Sequence, residues 1–408
     1  MRVDRAGIPR RMAYWRGRRD LSKRELGEKM RPPRTESWVE KAESGERQAD
    51  FRVGVLDQVA EALDIPLERL LYDEAHAPFL ECVDEVEAAA IRAALARYDV
   101  ATSTFAVPIG EDPVAVDLVS RQADYGWSSF QSANFTVVAR LLPELIVDAA
   151  RTAAADGGDS AWSAASFALQ LAAATEVKFD DGATAWIAAD RGLTAAERGG
   201  DHVVIASAAR RSAEALICLG NSELALDHCL RAAERLESDL LERDADGISV
   251  LGSLYLKAAV CTASIGDRAK TAALITQARE YATMLGVDGN AVGTGFGPTN
   301  TAVHEVATLT MLHEGGRALN AAALIDPEAL SRMRVERQVH HCADLALAQI
   351  QAGHLERALT TLLYAEKLGK QEIHCRPRTR VIITQLAEAT PVQPARLKGL
   401  AQRSGVRT

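Results

Sequence analysis

The sequence predicts an all-α protein, and three observations predict it. Alanine is dense while aromatic residues make up only 5% of the 408 residues, a composition that suits helices packed at close approach and argues against a β-sandwich or barrel. From about residue 127 onward, apolar and alanine-rich stretches of helical period alternate with short turns of Gly, Asp or Asn, and no run of β-period is longer than a few residues. Ahead of them, residues 8–71 break at capping and proline signals into five short helices.

The bulk properties bound the rest. With 48% hydrophobic and 25% charged residues, the chain can bury one or two sizeable cores, and its length corresponds to two or three domains at ~150 residues each. The mean hydropathy is −0.07, no run of ~18 apolar residues is free of charge, and the N-terminus lacks the apolar stretch of a secretory signal. A cytoplasmic protein with no membrane partner is expected. Cys82, Cys218, Cys229, Cys261, Cys342 and Cys375 never form CxxC and read as reduced core thiols.

Charge is distributed unevenly. Residues 1–35 hold twelve Arg or Lys against Asp4, Asp20, Glu25 and Glu28, a net of +8, so the remaining 373 residues carry −17 of the total −9. A basic head on an acidic body points to a polyanion met by the head alone.

Within the head, Ile8, Met12 and Trp15 recur at helical spacing over residues 8–19. Ser22 with Glu25 three residues on forms a capping box that opens a second helix, SKRELGEKM. Leu26 and Met30 point inward, and Gly27 admits a close neighbour. Pro32 and Pro33 break the chain, and Thr35 caps a third helix that stops at Gly45. A fourth is expected at roughly 52–62, and LERLL forms a short fifth.

LSKRELGEKM, TESWVEKAESGER and LDQVAEALDIPLERLL together resemble the lambda repressor-like (Xre-type) helix-turn-helix domain. The likeness covers about residues 8–72. It departs from the family in Lys23, where Gln is frequent, and in a turn about two residues longer with Pro32 and Pro33 where Gly is common. The resemblance implies double-stranded DNA as partner, with the start of the third helix in the major groove. Thr35, Glu36, Ser37, Trp38 and Lys41 would then face DNA, and Ser22, Lys23, Arg24 and Arg34 would clamp phosphates. Trp38 has two readings, a contact to thymine methyls or a residue packed between the second and third helices.

After a linker at 73–82 and a connecting helix at 83–100, residues 101–113 form a break. The body then reads as helices at 128–155, 161–178, 181–198, 201–219, 222–241, 248–265, 268–285, 301–314, 316–325, 328–351, 355–369, 376–389 and 393–403. Three stretches share one frame: a helix ends at Gly220, Gly266 or Gly353, and the next carries Ala225, Ala272 or Ala358. The glycines lie 46 and 87 residues apart, the latter near two units of ~43. This frame resembles a tetratricopeptide array, a right-handed α-solenoid, with an armadillo-like or HEAT-like array as the nearest rival. The domains expected are therefore 1–72, a linking region at 73–124, and a repeat body at 125–408.

GNAVGTGFGPTNTAVHEVA, residues 289–307, is the oddest segment. Thr299 and Asn300 stand at a helix N-terminus, where free amides suit a carboxylate, and His304 follows one turn later. An ordinary capped turn would also fit. Arg337, Gln338, His340, His341 and Asp344, with Arg376, Arg378 and Arg380, are placed to meet an anionic ligand end or to form a solvated face. Trp127, Phe130, Trp162 and Trp186 are read as core. The ligand set expected is Thr299, Asn300, His304, Arg337 and His341.

No GxSxG, HExxH or P-loop is present, and GTGFGP does not follow a strand, so no enzyme, cofactor or metal is expected. Head and body together resemble one-component regulators such as the RRNPP peptide-sensing proteins. That resemblance implies a homodimer whose array binds a peptide or small-molecule effector, as in quorum sensing, and thereby controls DNA binding. The alternative is an adaptor that stays on DNA and recruits a protein partner.

Overall fold

The computed structural model describes residues 7–19, 21–46, 51–65, 67–71, 85–97 and 113–406. The linker expected at 73–82, Cys82 and nearly all of the break at 101–113 lie outside them. Every regular element among the described residues is a helix, with no strand. The chain divides into two compact units, Met1–Leu80 with Gln402–Arg407, and Glu81–Ala401.

In the first unit, α1 (Ile8–Arg18), α2 (Lys23–Lys29), α3 (Glu36–Glu43), α4 (Val53–Leu63) and α5 (Glu68–Leu71) enclose a core of Met12, Leu26, Met30, Val39, Val59, Leu63 and Leu70. The capping box forms as the sequence predicts: the Glu25 amide donates to Ser22 Oγ at 3.2 Å, and the Ser22 amide donates to Glu25 Oε2 at 2.7 Å. Thr35 Oγ1 accepts the Trp38 amide at 3.2 Å and starts α3. Gly27 admits a close neighbour, though it is the turn rather than a helix. A Cβ there would lie 2.4 Å from the Arg34 carbonyl oxygen, while the Arg34 amide donates to Gly27 O at 2.8 Å.

The second unit contains α6 (Glu85–Leu95), α7 (Val116–Gln131), α8 (Phe135–Asp156), α9 (Asp159–Lys178), α10 (Gly182–Gly199), α11 (His202–Cys218), α12 (Ser222–Leu241), α13 (Asp244–Ser264), α14 (Arg268–Leu285), α15 (Pro298–Met311), α16 (Gly315–Ala322), α17 (Pro327–Arg332), α18 (Val335–Gln351), α19 (Leu355–Leu368), α20 (Lys370–His374), α21 (Pro377–Ala389) and, as far as Ala401, α22 (Ala395–Arg403). The connecting helix is part of this body: Ile91 and Leu95 of α6 are buried in the core that α8, α9 and α10 build. From α7 to α16 each helix packs on its successor, and α9, α11, α13 and α15 pack on one another in series.

One turn recurs six times. Ala133, Asp180, Gly220, Gly266, His313 and Gly353 each take a left-handed conformation, at intervals of 40 to 47 residues. In each case the following amide donates to the carbonyl five residues back: Asn134 to Ser129, Asp181 to Glu176, Asn221 to Leu216, Asp267 to Thr262, Glu314 to Leu309 and His354 to Gln349, at 2.8 to 3.0 Å. This bond satisfies a carbonyl that the helix end leaves over, and it aims the next helix back along the first. Five residues after each left-handed residue stands a buried side chain, Val138, Ala185, Ala225, Thr271, Ala318 or Ala358.

This register corrects two expectations. The 87-residue gap between Gly266 and Gly353 contains a further turn at His313. The position given to Ala272 in the alanine frame belongs to Thr271, which donates to Thr262 Oγ1 at 2.8 Å, and Ala272 is exposed. The helix expected at 128–155 is two, because Ala133 turns the chain, and α7 begins at Val116. The one expected at 328–351 is also two. Met333 and Arg334 are extended, and Gln338 Nε2 donates to the carbonyls of Ser331 and Met333, completing the end of α17. Of the cysteines, Cys218, Cys229, Cys261 and Cys342 are free thiols, whereas Cys375 is disulfide-bonded.

α13 is long and apolar enough by composition to cross a membrane. Here that apolar surface covers its neighbours, and Val250, Leu251 and Leu254 are fully buried. Phe296 explains Gly252 on the same helix: a Cβ there would lie 2.0 Å from the phenyl ring. The last helices return to the first ones. The Thr136 amide donates to Gln371 Oε1 at 3.2 Å, Gln131 and Asn290 exchange amide hydrogen bonds, and Lys178 of α9 joins Glu336 of α18 and Glu372 of α20.

Candidate functional sites

The head presents one polar face at the start of α3. Thr35, Glu36, Ser37 and Lys41 are exposed, and Lys23 and Arg24 stand on α2, the first paired with Glu40 at 3.3 Å and the second near Glu28 at 3.7 Å. Ser22 and Thr35 hydroxyls are engaged as helix caps. Trp38 is not on that face: it is only 6% exposed, in the head's core, with the Arg34 guanidinium 5.2 Å over its ring. Of its two readings the structure has the packed one, because the residue lies one helical turn from buried Ala42 and beside buried Val39. Arg16 is tied to Glu43 through two hydrogen bonds of 2.6 and 3.0 Å, which fixes α1 on α3.

The body encloses a cavity of about 880 Å³, within the range of small-molecule sites. Residues of α7, α9, α11, α13, α15, α17, α18 and α21 and of the 288–295 loop line it. Nine lining residues are Lys or Arg (Lys178, Arg210, Arg211, Lys257, Arg332, Arg334, Arg337, Arg376, Arg378), against five Asp or Glu (Asp180, Glu214, Asp288, Glu336, Asp344). Trp127, Phe130, Val260, Val303 and Met311 supply an apolar wall, and the Arg211 guanidinium lies 4.8 Å over the Trp127 ring. Trp127 and Phe130 therefore serve the cavity as well as the core, whereas Trp162 and Trp186 do not line it.

Of the ligand residues expected from sequence, His304, Arg337 and His341 line the cavity and Thr299 and Asn300 do not. The place of a ligand carboxylate at the α15 N-terminus is taken by Asp288 of the same loop. It accepts from the Thr299 amide at 2.9 Å and from Thr299 Oγ1 at 2.5 Å, so the glycine-rich segment folds onto its own acid. Asn300 is buried, and its backbone carbonyl oxygen accepts from His304 Nδ1 at 2.9 Å. In that tautomer Nε2 of His304 is an acceptor. Burial, with Arg337 next in weight, pushes His304 down to about 3. Burial also lowers His340, with Arg376 and Lys178 adding to it, and lowers His341 against a weaker opposing effect of Asp344. All three imidazoles are neutral at pH 7.

The arginines anticipated as a cluster are largely engaged. Arg376 pairs with Glu372 at 2.9 Å, Arg378 with Asp344 at 2.6 Å, and Arg380 Nε donates to the His374 carbonyl at 3.0 Å. Glu336, His340 and Glu372 bring their donor atoms within 4.8 Å of one another. The ammonium of Lys178 lies between the two carboxylates, taking the place a metal ion would need.

Sequence reading missed Arg210, Arg211, Glu214 and Lys257. Glu214 accepts from Arg211 at 2.6 Å, Lys257 at 2.8 Å and Arg210 at 3.3 Å. After the cost of its burial, Arg211 and then Lys257 hold its carboxyl well below the usual range. A signal was present: Arg-Arg within ASAARRSAEALIC and a lone Lys within LYLKAAVC are charges on otherwise apolar helices. No known family matches the chain, and no curated protein does.

Proposed function

We propose that the chain is a DNA-binding transcription regulator. The first unit is a lambda repressor-like helix-turn-helix domain that reads duplex DNA. The second is a right-handed tetratricopeptide-like array that dimerises and holds a peptide or small-molecule effector. The observation that carries this reading is the pairing of a head whose first 35 residues are strongly basic and whose capped α3 exposes Thr35, Glu36, Ser37 and Lys41 with a repeat body built around a cavity of about 880 Å³. The six equivalent turns at intervals of 40 to 47 residues support a repeat array of units longer than the standard ~34. An effector acts by its differential affinity for the DNA-competent and incompetent states.

Selection of duplexes from a random pool by the full-length protein at low salt tests the reading. Enrichment of a motif with two half-sites is the expected result, and a pool that stays random overturns it. Lys23→Ala or Arg24→Ala weakens binding to every sequence and lowers the salt slope by about 1 for each phosphate that is no longer neutralised. Ser37 and Lys41 substitutions change sequence preference instead.

A further inference from the structure

We propose that the body's cavity is an oxyanion site: Arg210, Arg211, Lys257 and Arg337 seat the carboxylate or phosphate of an amphipathic ligand whose apolar part lies against Trp127 and Met311. For the role of that ligand the inference rests on the effector reading above; the site itself stands on the geometry.

The charges do not close on themselves. Arg210, Arg211 and Lys257 share a single carboxylate, Glu214. Arg337 has as its nearest acid Glu336 at 3.9 Å, which Lys178 already holds. Arg210 is 6% exposed, and its Nε and Nη2 have no hydrogen-bond partner; Nε of Arg211 has none either. A buried guanidinium with idle donors is costly to keep, and buried polar groups are almost always satisfied. Burial, and next the charge of Arg211, lower Arg210 to about 9 against the opposing effect of Glu214, as expected of a cation whose shared acid compensates it only in part.

The four cations come from α11, α13 and α18, so their spacing is fixed by helix packing before a ligand arrives, and little ordering is left to oppose binding. Guanidinium forks suit a carboxylate or phosphate through paired N–H donors. In the same cavity Trp127, which lies under the Arg211 guanidinium, and Val303 and Met311 offer surface that an inorganic ion cannot cover. His304, with Nε2 as acceptor, fits a ligand that also carries a hydroxyl or N–H donor.

The test follows the emission of Trp127 in the full-length protein, with Trp127→Phe as the variant in which the signal must vanish. The probes are phenylacetate with its neutral counterpart phenylacetamide, phenyl phosphate with phenol, and inorganic phosphate. The expected result is that the charged member of each pair binds roughly tenfold or more tightly than the neutral one, and the better pair tells carboxylate from phosphate. Arg210→Gln and Arg337→Gln each weaken the charged probes roughly tenfold. Arg210→Gln leaves the melting temperature of the unliganded protein unchanged or higher, which a purely structural arginine would not do. If Arg210→Gln fails to fold, Arg337→Gln on a different helix reads the same loss. Equal binding of phenylacetate and phenylacetamide overturns the proposal, as does silence of Trp127 toward every charged probe. An oxyanion that binds without altering DNA affinity keeps the site and overturns the effector reading. A neutral compound that alters DNA affinity while no oxyanion binds does the reverse.

Discussion

Lysine and arginine do different work in the two units. In the head, Arg24 and Lys41 stand in solvent and a half-buried Lys23 meets exposed Glu40. Their effect is a field, felt at a distance and weakened by salt. In the body, whose formal charge is strongly negative, nine cations line one cavity with five acids. Their effect is local, set by desolvation and by which acid each can reach. Net charge thus describes what approaches each unit, and burial describes what the unit can hold. An acidic domain can contain a cationic site without any trace of it in the total.

The contrast breaks most easily at lysine. Lys178→Met removes the ammonium that Glu336 and Glu372 share in the buried interior. A loss of about 3–5 kcal/mol is expected in the body's urea transition, because two buried carboxylates are left undercompensated. A loss below about 1 kcal/mol would show that water reaches the cluster and that body charges behave like head charges.

A buried acid sharpens the same point through pH. Burial, and then Asp181, raise Glu176 from 4.5 to about 7, while Arg92 opposes them. Because the folded carboxyl keeps its proton more readily than the unfolded one, its contribution is complete below about 4.5 and is lost as pH rises through about 7. The difference amounts to about 3 kcal/mol. In urea midpoints measured across this range, Glu176→Gln removes that dependence and wild type retains it; parallel curves would count against a buried carboxyl.

Gly27→Ala probes the head by shape instead of charge. Its Cβ would meet the Arg34 carbonyl at 2.4 Å, so the turn between α2 and α3 must shift, at about 1–3 kcal/mol. The head's thermal transition falls, DNA affinity falls with it on the proposed reading, and the body's transition stays. The smallest effect belongs to Lys23→Ala. Its pair is 35% and 64% exposed, and stability changes by less than about 0.5 kcal/mol, although phosphate binding weakens on the proposed reading. Lys23 and Lys178 together test whether one residue type differs in energy only through its surroundings.

The elements most legible from sequence were those whose signal is local. Ser22 with Glu25, Thr35, and the glycines at 220, 266 and 353 announce caps and turns within a few residues of the bonds they make. Ala133, Asp180 and His313 make the same turn without glycine. The helical pattern therefore ran through Ala133 unbroken, and half of the repeat frame stayed hidden. The candidate site was legible only in part, through His304, which follows the glycine-rich loop by one turn, and through Arg337 and His341, which crowd with other polar residues on one helix.

By itself, then, the sequence determined the all-helical class, the head's order of caps and breaks, the excess of basic charge there, and the period of the body where glycine marks it. All of these depend on neighbours along the chain. Tertiary structure alone decided that Trp38 is core, that Asp288 closes the α15 N-terminus, that Thr271 and not Ala272 faces inward, and that Arg210, Lys257 and Arg337 meet in one cavity. Those residues lie on helices separated by tens of positions, and which of their faces meet depends on how successive turns accumulate into a path that returns on itself. Local propensity does not encode that path; the packing of helix on helix along the body, and of α18 back on α7, does.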